Sequence, residues 1–182
     1  IQEPRRGYGR ACLTGLAATT APDVVVVLDG DYSDRPSELP ILLAPILEGR
    51  ADITLGSRLQ GRRSLGAMPW HQAFGNRLAA GLIRILYGLE ITDLGPFRAG
   101  RADVLRSLAL EETTYGWAVE MILKGALAGF RVVEVPVSCY PRIGKSKISG
   151  TLKGTVGAAW FILSLIVCYS FRHRTAGISR PA

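Results

Sequence analysis

Two carboxylates one residue apart, Asp29 and Asp31 on either side of Gly30, are the residues in this chain best suited by type and spacing to do chemistry. Hard oxygen ligands of this kind suit Mg²⁺ or Mn²⁺, which take one or two protein carboxylates and fill the remaining positions with water and substrate phosphate. Asp and Gly are also ordinary turn residues, so a solvated turn is the competing explanation. What precedes the pair favours the ion. Residues 24–28 form a continuous apolar run between Ala21-Pro22-Asp23 and a polar turn, which reads as a strand buried on both faces of a parallel sheet. In open α/β sheets ligands bind outside the carboxyl ends of the strands, where this pair falls. Gly30 is expected to let the backbone turn tightly enough to aim both side chains at one ion.

The elements that must position these residues alternate along the chain. A helix is expected over 8–18, then the strand 24–28, then a helix capped by Ser37 that runs to Glu48, is kinked by Pro45 and stops at Gly49. A short strand over 52–56 leads into a loop rich in Gly, Arg and Ser. Pro69 then stands at the first position of a long helix that ends at Tyr87 and Gly88. A strand over 94–98, helices over 102–108 and 117–128, and a strand over 131–137 follow. This alternation predicts an α/β fold around a mostly parallel sheet.

Composition narrows the function classes. With 182 residues, 48% of them hydrophobic and 20% charged, the chain is long enough for one domain with a sizeable core and too apolar to be disordered. Its net charge of +7 sits in the last quarter, because residues 135–182 carry seven Lys or Arg and no acid. Such a segment suits nucleic acid, an anionic membrane surface or a phosphorylated substrate. The basic stretch lacks the interleaved aromatic residues of a nucleic-acid groove, which excludes that partner from the reading. Three widely spaced cysteines, Cys12, Cys139 and Cys168, argue for a reducing compartment and against a disulfide framework or a zinc site.

Five motifs in order, VVVVLDGDYSDRPSELP, ADITLGSR, TDLGPFRA, YGWAVEM and VVEVPVSCYPRIGKSKISGT, resemble the family 2 glycosyltransferases, and within them the dolichol-phosphate mannosyltransferase-like, polyprenyl-phosphate branch. The resemblance implies a GT-A fold, Rossmann-like, over residues 1–150. It also implies inverting, metal-dependent transfer of a hexose from a nucleotide-sugar, GDP-mannose or UDP-glucose, to a polyprenyl phosphate. Matched position by position, Asp29 and Asp31 with Gly30 would hold Mg²⁺ or Mn²⁺ on the donor diphosphate, and Asp34 would cap or orient the loop after them. Arg58 would reach a phosphate. Asp93 is the first choice for an acid facing the acceptor and Glu120 the second, with a turn contact and a partnered helix carboxylate as their structural alternatives. A lipid phosphate, with a second pKa near ~6, is already an oxyanion at neutral pH and needs positive charge more than a base. Arg142, Lys145, Ser146 and Lys147 would supply that charge from a flap, joined by Arg98. Trp117 and Trp70 suit a sugar ring or a lipid, although aromatic residues at helical spacing more often belong to a core.

The matched region enters at Arg5-Arg6-Gly7-Tyr8-Gly9, after the part of the family that holds the nucleoside. The first β-α-β portion is therefore expected to be missing, and these residues alone to bind nucleotide-sugar weakly or not at all. Residues 155–171 are uncharged and lie between Lys153 and Arg172-His173-Arg174. Seventeen residues is the lower limit for a membrane span of about 20. With Trp160 and Tyr169 near its ends, this C-terminal apolar helix is expected to make residues 151–182 a membrane-associating unit with a basic tail, on the cytoplasmic face. Phe74, Leu78, Leu82 and Ile85, interleaved with Arg77 and Arg84, would add an interfacial face. Homo-oligomerisation is compatible with all of this. Two alternatives stay open: transfer to a sugar or glycolipid hydroxyl in cell-envelope polysaccharide synthesis, and a non-catalytic basic binding module.

Overall fold

The structure, a computed structural model, describes residues 1–144 and 152–175, with the side chains of the last helix described for 157–171. Four strands, β1 (Val24–Val27), β2 (Ile53–Ser57), β3 (Arg98–Arg101) and β4 (Val132–Pro136), form one sheet in the order β1-β3-β2-β4. Six helices accompany them: α1 (Tyr8–Ala17), α2 (Leu39–Leu47), α3 (Trp70–Tyr87), α4 (Ala102–Ser107), α5 (Trp117–Leu127) and α6 (Leu152–Thr175).

The sheet is mixed. β2 and β4 pair in parallel, while β3 runs antiparallel to both β1 and β2, so β1, β2 and β4 share one direction and β3 opposes them. The predicted strand over 94–98 falls three to four residues early. Residues 94–97 are instead an irregular turn, because Gly95-Pro96 interrupts the ladder and the turn's carbonyls serve another partner, Arg98. The reversal of β3 brings its amino end to the same sheet edge as the carboxyl ends of the other strands, with Val27 and Leu55 both opposite Arg98.

Each face of the sheet is covered. One core gathers Ile53, Leu55, Ile83, Trp117, Ile122 and Ile166, under α3, α5 and α6. The other packs Leu42 and Ile46 of α2 on Phe97, Ala99 and Val137. The four valines of β1 alternate between them, Val25 and Val27 to the first and Val24 and Val26 to the second, as a strand packed on two faces must. They are only half-buried, however, because β1 is an edge strand among the described residues.

Proline and glycine set the helix limits much as expected. Pro69 is the N-cap of α3 and Gly88 closes it with φ of 70°, a left-handed conformation that glycine adopts without a steric cost. Ser37 does not cap a helix. It lies in a single 3-10 turn, Pro36–Glu38, and α2 begins at Leu39 with Pro45 accommodated inside it.

The C-terminal helix α6 packs on the first core. Ile166 of α6 is fully buried, and the Tyr87 hydroxyl donates to its carbonyl at 2.5 Å. Among the described residues no helix is long and apolar enough to cross a membrane.

Candidate active site

The sheet edge collects most of the sequence-predicted residues. Asp29 and Asp31 follow β1, Arg58 follows β2, Asp93 lies just before the turn into β3, and Arg142 comes after β4. Cys139, Tyr140 and Ile143 lay the segment after β4 against this edge through backbone bonds to Arg62, Ser33 and Asp31. Lys145, Ser146 and Lys147 lie outside the described residues.

The Asp29–Asp31 loop turns without the help expected from Gly30. That glycine has no positive φ, and a Cβ placed on it would meet nothing within 4 Å. The left-handed residue is Tyr32, with φ of 63°, which is unfavourable for a side chain with a Cβ. Stacking holds it there. The Arg35 guanidinium lies 3.9 Å from the centroid of Tyr32 and 4.2 Å from that of Tyr140, so it ties the loop to the segment after β4. Asp31 Oδ1 accepts from the Ser33 amide at 3.0 Å, and its Oδ2 lies 3.4 Å from Arg142 Nη1.

Burial pushes the Asp29 carboxyl up, the Asp31 charge adds to this, and Arg142, Arg58 and Arg98 oppose it. Two mutually repelling carboxylates beside cations are what a divalent ion would relieve. Asp34 adds a third. It is fully buried, and neither of its oxygens finds a hydrogen-bonding partner of good geometry. Burial, with Asp29 and Asp31, raises it to about 6, against the pull of Arg58 and a weak contact with the Asp29 backbone. The contact with the Asp29 backbone is of the loop-orienting kind expected of Asp34. The donor set at Asp29 and Asp31 therefore fits a hard divalent cation, although no group of three or more acidic, His or Cys ligands assembles among the described residues.

Asp93 faces Arg58. Its Oδ2 accepts from Arg58 Nε at 2.8 Å and from the Arg58 amide at 3.0 Å, and its Oδ1 accepts from Arg58 Nη2 at 2.9 Å. Asn76 Nδ2 and the Leu94 amide also donate to Oδ1. Five donors on a fully buried carboxylate make it an anchor. Burial works against the charge on Arg58, and the bonds to Asp93 more than offset this and raise its pKa. Gly95 permits the close approach: a Cβ there would sit 2.9 Å from the Gly56 carbonyl oxygen and 3.2 Å from Arg58 Nε.

Behind Asp93 stands Glu134 of β4. Its carboxylate accepts from the Thr92 amide at 2.9 and 3.0 Å, the Thr92 hydroxyl at 2.9 Å and the Asp93 amide at 2.9 Å, with Gln60 Nε2 at 2.7 Å. Sequence reasoning passed over Glu134 and Asn76. The available signal was a lone acid inside the apolar strand VVEVPV and a lone amide on the buried side of α3, between Ala73 and Ala80.

Arg98 and Glu120 are buried in separate surroundings. The Arg98 guanidinium donates to the carbonyls of Pro96, Leu94, Gly95 and Ala118, the last at 2.7 Å, and burial lowers its pKa. It therefore braces the 94–96 turn on α5 and adds positive potential beneath Asp29. Glu120 accepts from the amides of Glu111 and Glu112 and the Tyr169 hydroxyl, and pairs with Lys124 at 2.8 Å. Burial raises its pKa, and these partners outweigh that and lower it. Its described partners join α5 to α6 and to the 111–112 loop. Trp117 is core, edge-on to Tyr8 at 6.3 Å, whereas Trp70 is 81% exposed.

An α/β domain with paired carboxylates at the carboxyl end of a strand and guanidinium groups beside them is suited to hold a cation and a phosphate. The model of glycosyl transferase family 2 matches residues 1–109, and the chain belongs to that family. It is 36% identical over 170 residues to an uncharacterized glycosyltransferase of Mycobacterium tuberculosis, covering 90% of this chain and 75% of the relative. It is 36% identical over 155 residues to an undecaprenyl-phosphate mannosyltransferase of Micrococcus luteus, covering 81% and 63% respectively. Among solved structures, glucosyl-3-phosphoglycerate synthase of Mycobacterium tuberculosis, in complex with Mn²⁺, UDP-glucose and phosphoglyceric acid, superposes with a TM-score of 0.66 at 19% identity over 92% of this chain and 56% of that one. That likeness shows the GT-A-like fold. The chain thus spans little more than half the length of this structural neighbour.

Proposed function

We propose that this chain carries the metal-binding edge and the acceptor-phosphate contacts of a glycosyltransferase that moves a hexose from a nucleotide-sugar to a polyprenyl phosphate, with inversion at the anomeric carbon. The observation that carries the reading is the saturation of both candidate bases. Asp93 accepts five hydrogen bonds, and every described partner of Glu120 is structural. An acceptor hydroxyl would need one of them free to take its proton. A lipid phosphate, already anionic, needs only positioning by positive charge. The similarity to an undecaprenyl-phosphate mannosyltransferase supports the same acceptor class.

Each residue then has a role. Asp29 and Asp31 hold Mg²⁺ or Mn²⁺, which supplies charge neutralisation on the leaving nucleoside diphosphate. Arg58, held by Asp93, turns to the phosphates the edge of its guanidinium that Asp93 leaves unused, and Asp93 is a positioning residue. Arg142, paired with Asp31, is a cation on the segment after β4 that would meet the acceptor phosphate. Lys145, Ser146 and Lys147 extend the same phosphate-binding segment. Arg98 and Glu120 act through the turn and the helices that they brace. The exposed stripe Trp70, Phe74, Leu78 and Ile85 on α3, next to Trp160 and Phe171 on the adjoining α6, rests on the membrane interface where the lipid acceptor lies.

The test compares acceptors. Full-length protein would be given radiolabelled GDP-mannose or UDP-glucose with Mn²⁺ and either polyprenyl phosphate or the matching free polyprenol. Label in the phosphate lipid alone, with a rate that falls as its phosphate is protonated below pH 6, is the expected result. Equal labelling of the free alcohol would transfer the reading to a hydroxyl acceptor.

A further inference from the structure

We infer that Asp34 is an outer-sphere carboxylate of the cation site, accepting hydrogen bonds from the hydration shell of a divalent ion held by Asp29 and Asp31. This rests on the proposed role of those two residues and adds a third that the D-x-D spacing does not include.

The starting observation is an imbalance among buried acids. Asp52, Asp93 and Glu120 are buried as well, and each accepts several hydrogen bonds. Asp34 is completely buried, yet neither of its oxygens makes a hydrogen bond of good geometry among the described residues, a contact with the Asp29 backbone being all that it has, and they are the buried carboxylate oxygens left in that state. A native structure rarely strands a buried polar atom, and a missing water or ion is a standard reason when it does. The ordinary explanation for an acid before a helix fails here, since the 3-10 turn that follows starts after Arg35 with no side-chain cap.

Its place in the loop points the same way. Residues 31–35 are pinned by the Ser33 amide on Asp31 Oδ1, by the Tyr140 amide on the Ser33 carbonyl, and by Arg35 between Tyr32 and Tyr140. Asp34 therefore has little freedom to swing out to solvent, and it sits within electrostatic reach of Asp29, Asp31 and Arg58. It does not join the other two in a three-ligand cluster, nor does it come within ion-pair distance of Arg58. That leaves it one layer behind the pair. Mg²⁺ and its analogues keep several water ligands, whose hydrogens need acceptors, and partners of this kind commonly tune metal affinity 10–100-fold.

The experiment measures Mn²⁺ alone, by loss of the free-ion electron paramagnetic resonance signal, in full-length wild type, Asp34→Asn, Asp34→Ala and an Asp29→Ala, Asp31→Ala double variant. Melting temperatures without metal are recorded beside it. The expected result is Mn²⁺ affinity about 10–100-fold weaker in Asp34→Asn, with a metal-free melting temperature no lower than wild type, and no binding in the double variant. Asp34→Asn with wild-type Mn²⁺ affinity, against a double variant that has lost it, would overturn the inference and leave the proposed function standing. Wild type that takes up no Mn²⁺ would overturn both. Should Asp34→Ala fail to fold, the near-isosteric Asn variant still decides the matter.

Discussion

Arg58 and Asp93 show how a buried charge is kept useful. The carboxylate has no exposed surface and the guanidinium side chain is 11% exposed, so the pair is desolvated, and removing one member strands the other. Asp93→Asn is expected to cost about 3–5 kcal/mol, read as a fall in melting midpoint on the order of 10 °C, together with loss of transfer activity. Asp34 acts in the opposite sense. Its carboxyl is raised from 3.8 to about 6, so between those values the folded chain keeps a proton that the unfolded chain has released. Stability is therefore lost as pH rises from about 4 to 6, by up to about 3 kcal/mol. Urea unfolding of metal-free Asp34→Asn between pH 4 and 7 should show a flatter profile and higher stability above pH 6 than wild type. The D-x-D pair was legible in the sequence because apolar run and carboxylates are adjacent. The saturation of Asp93 and the isolation of Asp34 were not, since both depend on which groups the fold brings to them from 17 to 35 residues away or fails to bring.

At the scale of elements, the strand reversal at β3 is what makes the site. By running against its neighbours it delivers Asp93 to the edge already occupied by Asp29 and Arg58, and Glu134 of β4 fixes the turn that does so. Glu134→Ala would leave the part-buried amides of Thr92 and Asp93 without their acceptor, at up to about 1–3 kcal/mol each. Glu134→Gln keeps one acceptor oxygen and should lose less, and transfer rates are expected to fall in the same order. A Gly95→Ala variant tests the packing of the same turn. Its Cβ would press on the Gly56 carbonyl at 2.9 Å, so a melting midpoint lowered by the equivalent of about 1–3 kcal/mol is expected. Most helices and three of the four strands could be read from apolar periodicity and from Pro69, Gly88 and Gly129, whose backbone demands are local. The β3 strand was misplaced because Arg98, Ala99, Gly100 and Arg101 carry no apolar signature. Their strand conformation comes from two flanking ladders, a tertiary effect.

Across the whole molecule, the two halves of the proposed chemistry lie where the charge and the apolar surface lie. Acids cluster after β1, and the basic excess follows β4. α3 and α6 pack side by side with large apolar residues still outward. Flotation with anionic vesicles is expected to recover the protein, less so at high salt, and a Trp70→Ala, Phe74→Ala double variant should float less without a change in melting temperature. The apolar run 155–171 was legible as a helix. That one face of it would be spent on Ile83, Tyr87 and Glu120 was not, because that choice depends on partners far away in the chain. The most direct trial of the account is transfer of radiolabelled hexose to polyprenyl phosphate in membranes by full-length protein, with and without Mn²⁺, for wild type and the Asp29→Ala, Asp31→Ala double variant. Lipid labelling that requires both the metal and the two carboxylates is the expected outcome. Undiminished labelling by the folded double variant, or by wild type freed of divalent metal, would contradict it.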